Sequence, residues 1–336
     1  MLNINENNFQ LSIRAGGLLM AGLTIARGSS FLRSKALLGS MEPLCLLGLR
    51  FLLAFLILFF LFFRKVVSVI RKDPRILGAA LLLGGTYFIC MAAELIGLQY
   101  TTASTCSFLE NSAIVIVPVL EALLLRRFPK PVIAFSTVIT FIGIGLIVLR
   151  GGVAGDGPAG ETAAAGPGGI PGIFGGIGIG EILCMVAALM YAAAIIITDR
   201  LSKKHEPMTL GILYVGFMGL MGMIASFIFE APHLPQTGGQ WLALVALAVL
   251  CTAFGFTMQP VAQKPLSSET TGIICALNPL TTAVLGWLLL GESLGTAGIA
   301  GAVLILGGIV LPNVTSSAPN RSLRRPSSLR CHRTRM

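Results

Sequence analysis

The chain has 336 residues, of which 55% are hydrophobic and 11% are charged, and its formal net charge at pH 7 is +10. A soluble domain carries roughly 25% charged residues, so this composition excludes an ordinary water-soluble globular protein. About 20 apolar residues in a helix span a bilayer core about 30 Å thick, and backbone groups in lipid need internal hydrogen bonds. The apolar runs of this chain have helical length, so we predict an all-α polytopic membrane protein.

Ten such runs follow one another between charged or Gly/Pro-rich breaks. We predict ten transmembrane helices, at residues 13–33, 43–63, 76–99, 102–125, 131–149, 177–198, 208–230, 240–260, 266–290 and 293–313. The first run is interrupted by Arg14 and Arg27, and its short apolar stretch has a cleaved signal peptide as the alternative interpretation. We favour a membrane helix, because no convincing small-residue cleavage site follows it.

Positive charge is distributed unevenly between the two sides of these predicted helices. Eighteen of the 24 Lys and Arg residues fall in the connectors of one side and in the C-terminal tail, and three fall in the connectors of the other side. The remaining three, Arg14, Arg27 and Arg50, fall within predicted spans. Because positive charge is retained in the cytoplasm, we expect both termini to be cytoplasmic in a multi-pass protein of the cell membrane, such as a bacterial inner membrane.

One segment divides the chain into two blocks of helices. Residues 150–176 are rich in Gly, Ala and Pro, which predicts a flexible outer linker. It separates helices 1–5 (residues 13–149) from helices 6–10 (residues 177–313), and a cytoplasmic N-terminus at residues 1–12 precedes them. Since five is odd, the second block lies inverted relative to the first. Inverted repeats that meet at the membrane midplane are an architecture of alternating-access carriers.

Residues 314–336 contain six Arg and no acidic residue, which predicts a disordered, basic cytoplasmic tail. Such a tail is a solvated orientation signal or a segment attracted to anionic lipid, so the net charge requires no nucleic-acid partner. The cysteines lie singly and no Cys/His spacing typical of a metal site occurs, so we expect neither a metal nor another cofactor. Small residues spaced by four in the last helix permit a monomer or a homodimer.

Two stretches carry a resemblance to a known family. Residues 97–127 read GLQYTTASTCSFLENSAIVIVPVLEALLLRR, and residues 253–294 read AFGFTMQPVAQKPLSSETTGIICALNPLTTAVLGWLLLGESL. They resemble the matching halves of an EamA-type transporter of the drug/metabolite transporter (DMT) superfamily. The resemblance covers about residues 12–313 and implies ten helices in two inverted EamA repeats that move small organic metabolites or drug-like compounds. No phosphate-binding GxxxxGK[ST] occurs in the sequence, which is consistent with secondary transport.

Four ionisable residues, Arg27, Arg50, Glu94 and Glu110, fall in the outer half of the first predicted repeat. The resembled family often has an aromatic residue at the position of Arg27 and Gln at the position of Glu94. It often has small or neutral polar residues where this chain has Glu110 and Asn111. A charge at the bilayer centre costs roughly 2.5–3.5 kcal/mol on insertion scales, so such groups face a cavity and find partners. Two interpretations stand: a structural ion-pair network, or a Glu94 or Glu110 that exchanges a proton or binds a cationic part of the substrate.

Polar residues and prolines of the two halves add further candidates. Gln259 and Gln263 resemble the polar pair of the family, and they line a cavity or form hydrogen bonds between helices. Pro118 and Pro279 lie in corresponding helices of the two halves, and paired interruptions of that kind point to a binding site. The alternative is that both prolines only shape packing. Asn278 adds an amide group beside Pro279.

These features predict a secondary-active transporter of small organic molecules, an exporter coupled to protons, with a small-molecule substrate and no catalytic residues. A membrane-embedded enzyme would need a carboxylate cluster or a His/Asp/Ser constellation, whereas the three aspartates, Asp73, Asp156 and Asp199, are widely dispersed. The remaining alternative class is a non-transporting membrane sensor or assembly protein.

Overall fold

The computed structural model describes residues 13–124, 131–149, 178–266, 271, 274–275, 277–290 and 295–316. Over these residues the chain is helical and contains no strand, which confirms the predicted all-α class for this part of the molecule. The predicted N-terminal segment, the Gly/Pro-rich linker and the tail beyond Ser316 lie outside the described residues.

The described residues before the linker form seven helices. They are α1 (Ile13–Leu38), α2 (Pro43–Leu61), α3 (Phe63–Lys72), α4 (Arg75–Tyr100), α5 (Ala103–Asn111), α6 (Ala113–Leu124) and α7 (Pro131–Leu149). Two of them begin at recognisable start signals. Pro43 occupies the first turn of α2, where its missing N–H is not needed. The hydroxyl of Thr102 caps α5 by accepting from the Thr105 amide at 3.1 Å.

The described residues after the linker continue the helical pattern. They form α8 (Ile179–Ser202), α9 (Pro207–Phe229), α10 (Gly238–Ala246), a π-helical segment (Leu247–Phe254), α11 (Gln259–Gln263), α12 (Leu277–Leu290) and α13 (Thr296–Ser316). Thr237 and Gln240 form a reciprocal capping box at the start of α10. In the π-helical segment, the Thr252 hydroxyl donates to the Leu247 carbonyl at 3.2 Å, five residues back, and so supports the wide turn.

Five helices of the described part are long and apolar enough to cross a membrane. They are Pro43–Leu61, Arg75–Tyr100, Ile179–Ser202, Pro207–Phe229 and the composite helix Gly238–Gln263. Their outward faces carry large apolar side chains, such as Phe60 (74% exposed) and Phe229 (77% exposed). Exposed apolar surface of this extent marks contact with lipid rather than with water. The protein is therefore a multi-pass membrane protein.

Before the linker, the structure departs from the predicted helices in two places. The predicted helix at 102–125 is not continuous, because α5 and α6 are separated at Ser112, whose hydroxyl donates to the Leu109 carbonyl at 2.6 Å and competes with the helical ladder. The predicted connector after α2 contains the helix α3. Its Val66 is buried and its Val69 and Ile70 pack against the core, a spacing that forms one apolar face.

Helices of the first half pack against helices of the second half, notably α2 on α9 and α4 on α8. Small residues allow the α2–α9 backbones to approach closely. A Cβ atom on Gly48 would lie 2.5 Å from the Met223 nitrogen, and one on Gly219 would lie 2.5 Å from the Leu52 nitrogen. Contact of this kind is typical of membrane helix pairs held by van der Waals packing. The pairing places the polar side chains of both halves in one shared interior.

Candidate functional site

The four predicted membrane charges are all buried, and each is 5% exposed or less. Arg27 is on α1, Arg50 on α2, Glu94 on α4 and Glu110 on α5. The Arg27 Nη2 atom lies 3.7 Å from Glu110 Oε1, which is a fully buried ion pair. The Glu94 carboxyl group interacts electrostatically with Glu110 and with both arginines. The structure thus brings the quartet into one cluster.

Arg27 is the residue that joins the two halves of the chain at this cluster. Its Nη1 atom donates to the Tyr191 hydroxyl at 2.7 Å and to Gln259 Oε1 at 3.4 Å. Its guanidinium carbon lies 4.7 Å from the centroid of the Tyr191 ring and 4.6 Å from that of Phe256. Aromatic faces attract a desolvated cation, so Arg27 is held by a carboxylate from the first half and by aromatic and amide groups from the second half.

Arg50 has a different set of partners. Its Nε atom donates to the Thr252 hydroxyl at 2.7 Å in the π-helical segment, and its Nη1 atom donates to the Ser34 hydroxyl at 3.3 Å. The guanidinium carbon lies 4.9 Å from the Phe51 ring centroid and 5.9 Å from that of Phe256. Both arginines therefore contact the Phe256 ring. Among the described residues, the Nη2 atom of Arg50 has no hydrogen-bond partner.

Three tyrosines complete the site, and the sequence reasoning missed them. Tyr191 bonds Arg27, while the Tyr87 hydroxyl accepts from Gln259 Nε2 at 2.8 Å. The Tyr87 ring stacks on that of Tyr214 with centroids 5.3 Å apart. The chain has four tyrosines, and these three lie inside apolar helices rather than at helix ends. Since membrane tyrosines favour the interface, tyrosines in the middle of apolar helices were the sequence signal for a polar site inside the helix bundle.

The other predicted polar residues are also buried, and several of their atoms lack partners. Gln259 bridges Arg27 and Tyr87 and so forms hydrogen bonds between helices. The Asn111 Nδ2 atom donates to the carbonyl of its own helix at Ser107. On Glu110 and the predicted amide residues, five buried side-chain atoms have no hydrogen-bond partner within the described residues: Glu110 Oε2, Asn111 Oδ1, Gln263 Oε1, Gln263 Nε2 and Asn278 Oδ1. Buried polar atoms without partners call for a ligand or water.

The two candidate prolines lie in helices of the two halves. α6 continues through Pro118, and the interruption of this span lies upstream at Ser112. Pro279 is buried and is the third residue of α12 (Leu277–Leu290). The described residues contain no group of three or more His, Cys, Asp or Glu side chains that could hold a metal ion.

Comparison with known proteins gives the family of the chain. The model of the EamA-like transporter family matches residues 14–149 and again residues 178–314. The chain is similar to an uncharacterized transporter of Archaeoglobus fulgidus, with 26% identity over 87% of this chain and 83% of that protein. It is similar to the uncharacterized transporter YetK of Bacillus subtilis, with 23% identity over 90% of this chain and 87% of YetK.

Two further similarities are more limited: the first covers part of the chain, and the second concerns the fold alone. The threonine/homoserine exporter RhtA of Salmonella typhimurium is 31% identical over 34% of this chain and 38% of RhtA. One solved crystal structure superposes with a TM-score of 0.65 at 16% identity and covers 92% of this chain and 99% of the other. The two family matches together span most of the sequence and correspond to the two predicted blocks. The chain belongs to the EamA-like transporter family.

Proposed function

We propose that the protein is a secondary-active exporter of small organic metabolites that works by alternating access, with ten membrane helices in two inverted repeats. In this proposal both termini are cytoplasmic and the protein resides in the cell membrane. The observation that carries the proposal is the buried cluster of Arg27, Arg50, Glu94 and Glu110, which lies between helices of both halves. Intramembrane charges are costly and mark substrate or ion pathways.

The unpartnered atoms of the site support a substrate that carries both a carboxylate and an ammonium group. Arg50 Nη2 offers a donor that matches a carboxylate, and Glu110 Oε2 offers an acceptor that matches an ammonium group. The amide atoms of Gln263 and Asn278 can bind a neutral polar substituent. RhtA is named a threonine/homoserine exporter, and both of its substrates are amino acids. We therefore infer small amino-acid-like zwitterions as the substrate class.

The carboxyl pair supports coupling to protons. Glu94 and Glu110 are buried in one cluster and interact electrostatically, and a proton on one of two neighbouring carboxyl groups removes the repulsion between them. Arg27 lies against Glu110 on the other side. A conformational change that moves Arg27 closer to the pair favours release of the proton, and a change that moves it away favours uptake. Proton transfer and substrate exchange then depend on the same residues.

Contacts between the two halves hold both ends of the helix bundle, as alternating access requires. At one end, the Glu230 carboxylate accepts from the Leu44 and Cys45 amides, each at 2.9 Å. At the other end, Lys65 pairs with Glu206 at 3.0 Å, and Asp73 contacts His205. Opening one end while the other stays closed would expose the cluster to one side of the membrane at a time.

Flux measurements on purified protein test this function. A strain that expresses the protein is first grown against a panel of amino acids and drug-like compounds, and the protective hits are assayed in proteoliposomes with and without a pH gradient. We expect flux of an amino acid that responds to the pH gradient, and loss of the response in Glu110→Gln. Glu181→Gln is the matched control, because Glu181 lies in the first turn of α8, outside the cluster. Absence of flux for every compound, with the protein folded, would favour the sensor or assembly class.

A further inference from the structure

The short helix α3 carries a basic groove that the transport cycle proposed above does not use. The groove has a volume of about 430 Å³ and is lined by six residues of this helix: Phe63, Arg64, Val67, Ser68, Arg71 and Lys72. These residues repeat at intervals of about one turn, so they form a single stripe along the helix. The opposite face, with Val66 buried, packs on the protein core. The groove therefore faces away from the protein.

The position of α3 in the chain places this stripe at the membrane surface. α2 and α4 are both long and apolar enough to span a bilayer, and α3 with its short links is all that joins them. The end of α2 that leads into α3 presents Phe60 and Leu61 outward, at 74% and 71% exposure. These side chains belong in the acyl-chain region. Because α3 starts two residues later, its groove lies beside the headgroup layer, whichever side of the membrane it occupies.

The charges of the groove define its ligand. α3 contains four basic residues and no acidic residue. Lys65 points away from the groove and pairs with Glu206 at 3.0 Å. Arg64, Arg71 and Lys72 are exposed, and within the part of the chain that the structure describes no ion pair or hydrogen bond engages their side chains. Arg64 and Arg71 flank the Ser68 hydroxyl, an arrangement of two planar donors and a hydroxyl that suits a phosphate.

We propose that this groove binds the phosphodiester of an anionic phospholipid, with Arg64 and Arg71 on the phosphate oxygens, Ser68 as a further donor, and Phe63 against the upper acyl chain. The C-terminal tail is not a suitable occupant, since it has six Arg and no acid and would be repelled. A soluble phosphate does not account for the apolar side chains of Phe63 and Val67, whereas a lipid has an acyl chain for them.

The test compares the association of spin-labelled phosphatidylglycerol and spin-labelled phosphatidylcholine with the full-length protein in vesicles. The variant Arg64→Gln/Arg71→Gln/Lys72→Gln removes the charges of the groove. Arg200→Gln/Lys203→Gln/Lys204→Gln is the matched control, because it removes three exposed charges from the end of α8 and its connector. A second variant, Ser68→Glu, places a negative charge in the groove without removing any arginine.

Two arginines in direct contact with one phosphate contribute more than the about fivefold preference of a basic residue that is merely near an anionic surface, so we expect the groove variant to lose at least tenfold of the phosphatidylglycerol preference. Ser68→Glu should lose a similar amount, and the control should retain most of it. The proposal is overturned if the groove variant keeps the preference, if the control loses as much, or if inorganic phosphate at millimolar concentration displaces the lipid. These outcomes are independent of flux, so failure of the lipid site is distinguishable from failure of the transport proposal.

Discussion

Removal of one partner of the buried Arg27–Glu110 ion pair should lower the free energy of unfolding by several kcal/mol, and removal of both partners should lower it by much less. At the 3.7 Å distance between Nη2 and Oε1, two unit charges interact by about 4 kcal/mol at an effective dielectric constant of 20. Arg27→Met removes this attraction, the hydrogen bond to Tyr191 and the contacts with two aromatic rings. Breaking a buried pair on one side costs about 3–5 kcal/mol, because an uncompensated charge remains.

The double variant Arg27→Met/Glu110→Gln leaves neither charge, so its destabilisation should be smaller than the sum of the two single effects by about 2–4 kcal/mol. The measurement is equilibrium unfolding in mixed dodecylmaltoside and dodecylsulfate micelles for the wild type, both single variants and the double variant. The cost of Arg27→Met should also fall at acidic pH, where protonation of the carboxyl groups removes the uncompensated charge. Additive effects within about 0.5 kcal/mol would contradict the ion pair.

Three further predictions concern the packing and the ends of the helices. Gly219→Ala should lower the free energy of unfolding by about 1–3 kcal/mol, because the new Cβ atom would lie 2.5 Å from the backbone of α2. Gly78→Ala is the control: Gly78 has open space around it, so this variant should be neutral or stabilising in the same unfolding assay. Glu230→Ala should lower the free energy of unfolding by about 1–3 kcal/mol, because it leaves two amides of α2 without acceptors. Glu42→Ala should have little effect, since Glu42 makes no capping bond. Equal effects of the two variants would contradict the cap formed by Glu230. Burial opposes ionisation of Glu206, but hydrogen bonds from Thr209 and Lys65 outweigh it and hold the pKa of this carboxyl below its ordinary value. The Glu206 carboxylate caps the start of α9 by accepting from the Thr209 amide, and its contribution to stability is present at neutral pH and is lost as the pH falls through the lowered pKa. The stability difference between wild type and Glu206→Gln should therefore shrink in acid, and a constant difference would refute this N-cap.

The spans and the charges of this protein could be predicted because both signals are local in the sequence. A run of about 20 apolar residues predicts a helix before any tertiary contact is considered, and the observed bounds of α2, α4, α8 and α9 lie within a few residues of the predicted ones. A charge inside such a run predicts a buried partner. Arg27 and Glu110 meet this expectation, while their role in transport stays a prediction.

The remaining features depend on contacts between distant parts of the chain. Tyr191 binds Arg27 across 164 positions in the sequence, and Gln259 binds Tyr87 across 172. No local pattern specifies which tyrosine reaches which arginine. The break at Ser112 arises because its hydroxyl competes for the Leu109 carbonyl. This effect is small, and the apolar pattern of the sequence predicts a continuous helix. α3 was missed because its apolar face is only three residues long.

Counterflow of a labelled amino acid in proteoliposomes tests the central claim, that the buried charge cluster binds the transported substrate. The variants are Glu110→Gln and Arg50→Lys, which keep the size of each side chain while removing the carboxylate charge or the planar donor group. Arg33→Lys, on the same helix as Arg27 but more exposed, serves as the control. We predict at least a tenfold loss of counterflow in both cluster variants and none in the control. Unchanged counterflow in Glu110→Gln and Arg50→Lys would contradict the assignment of this cluster as the substrate site.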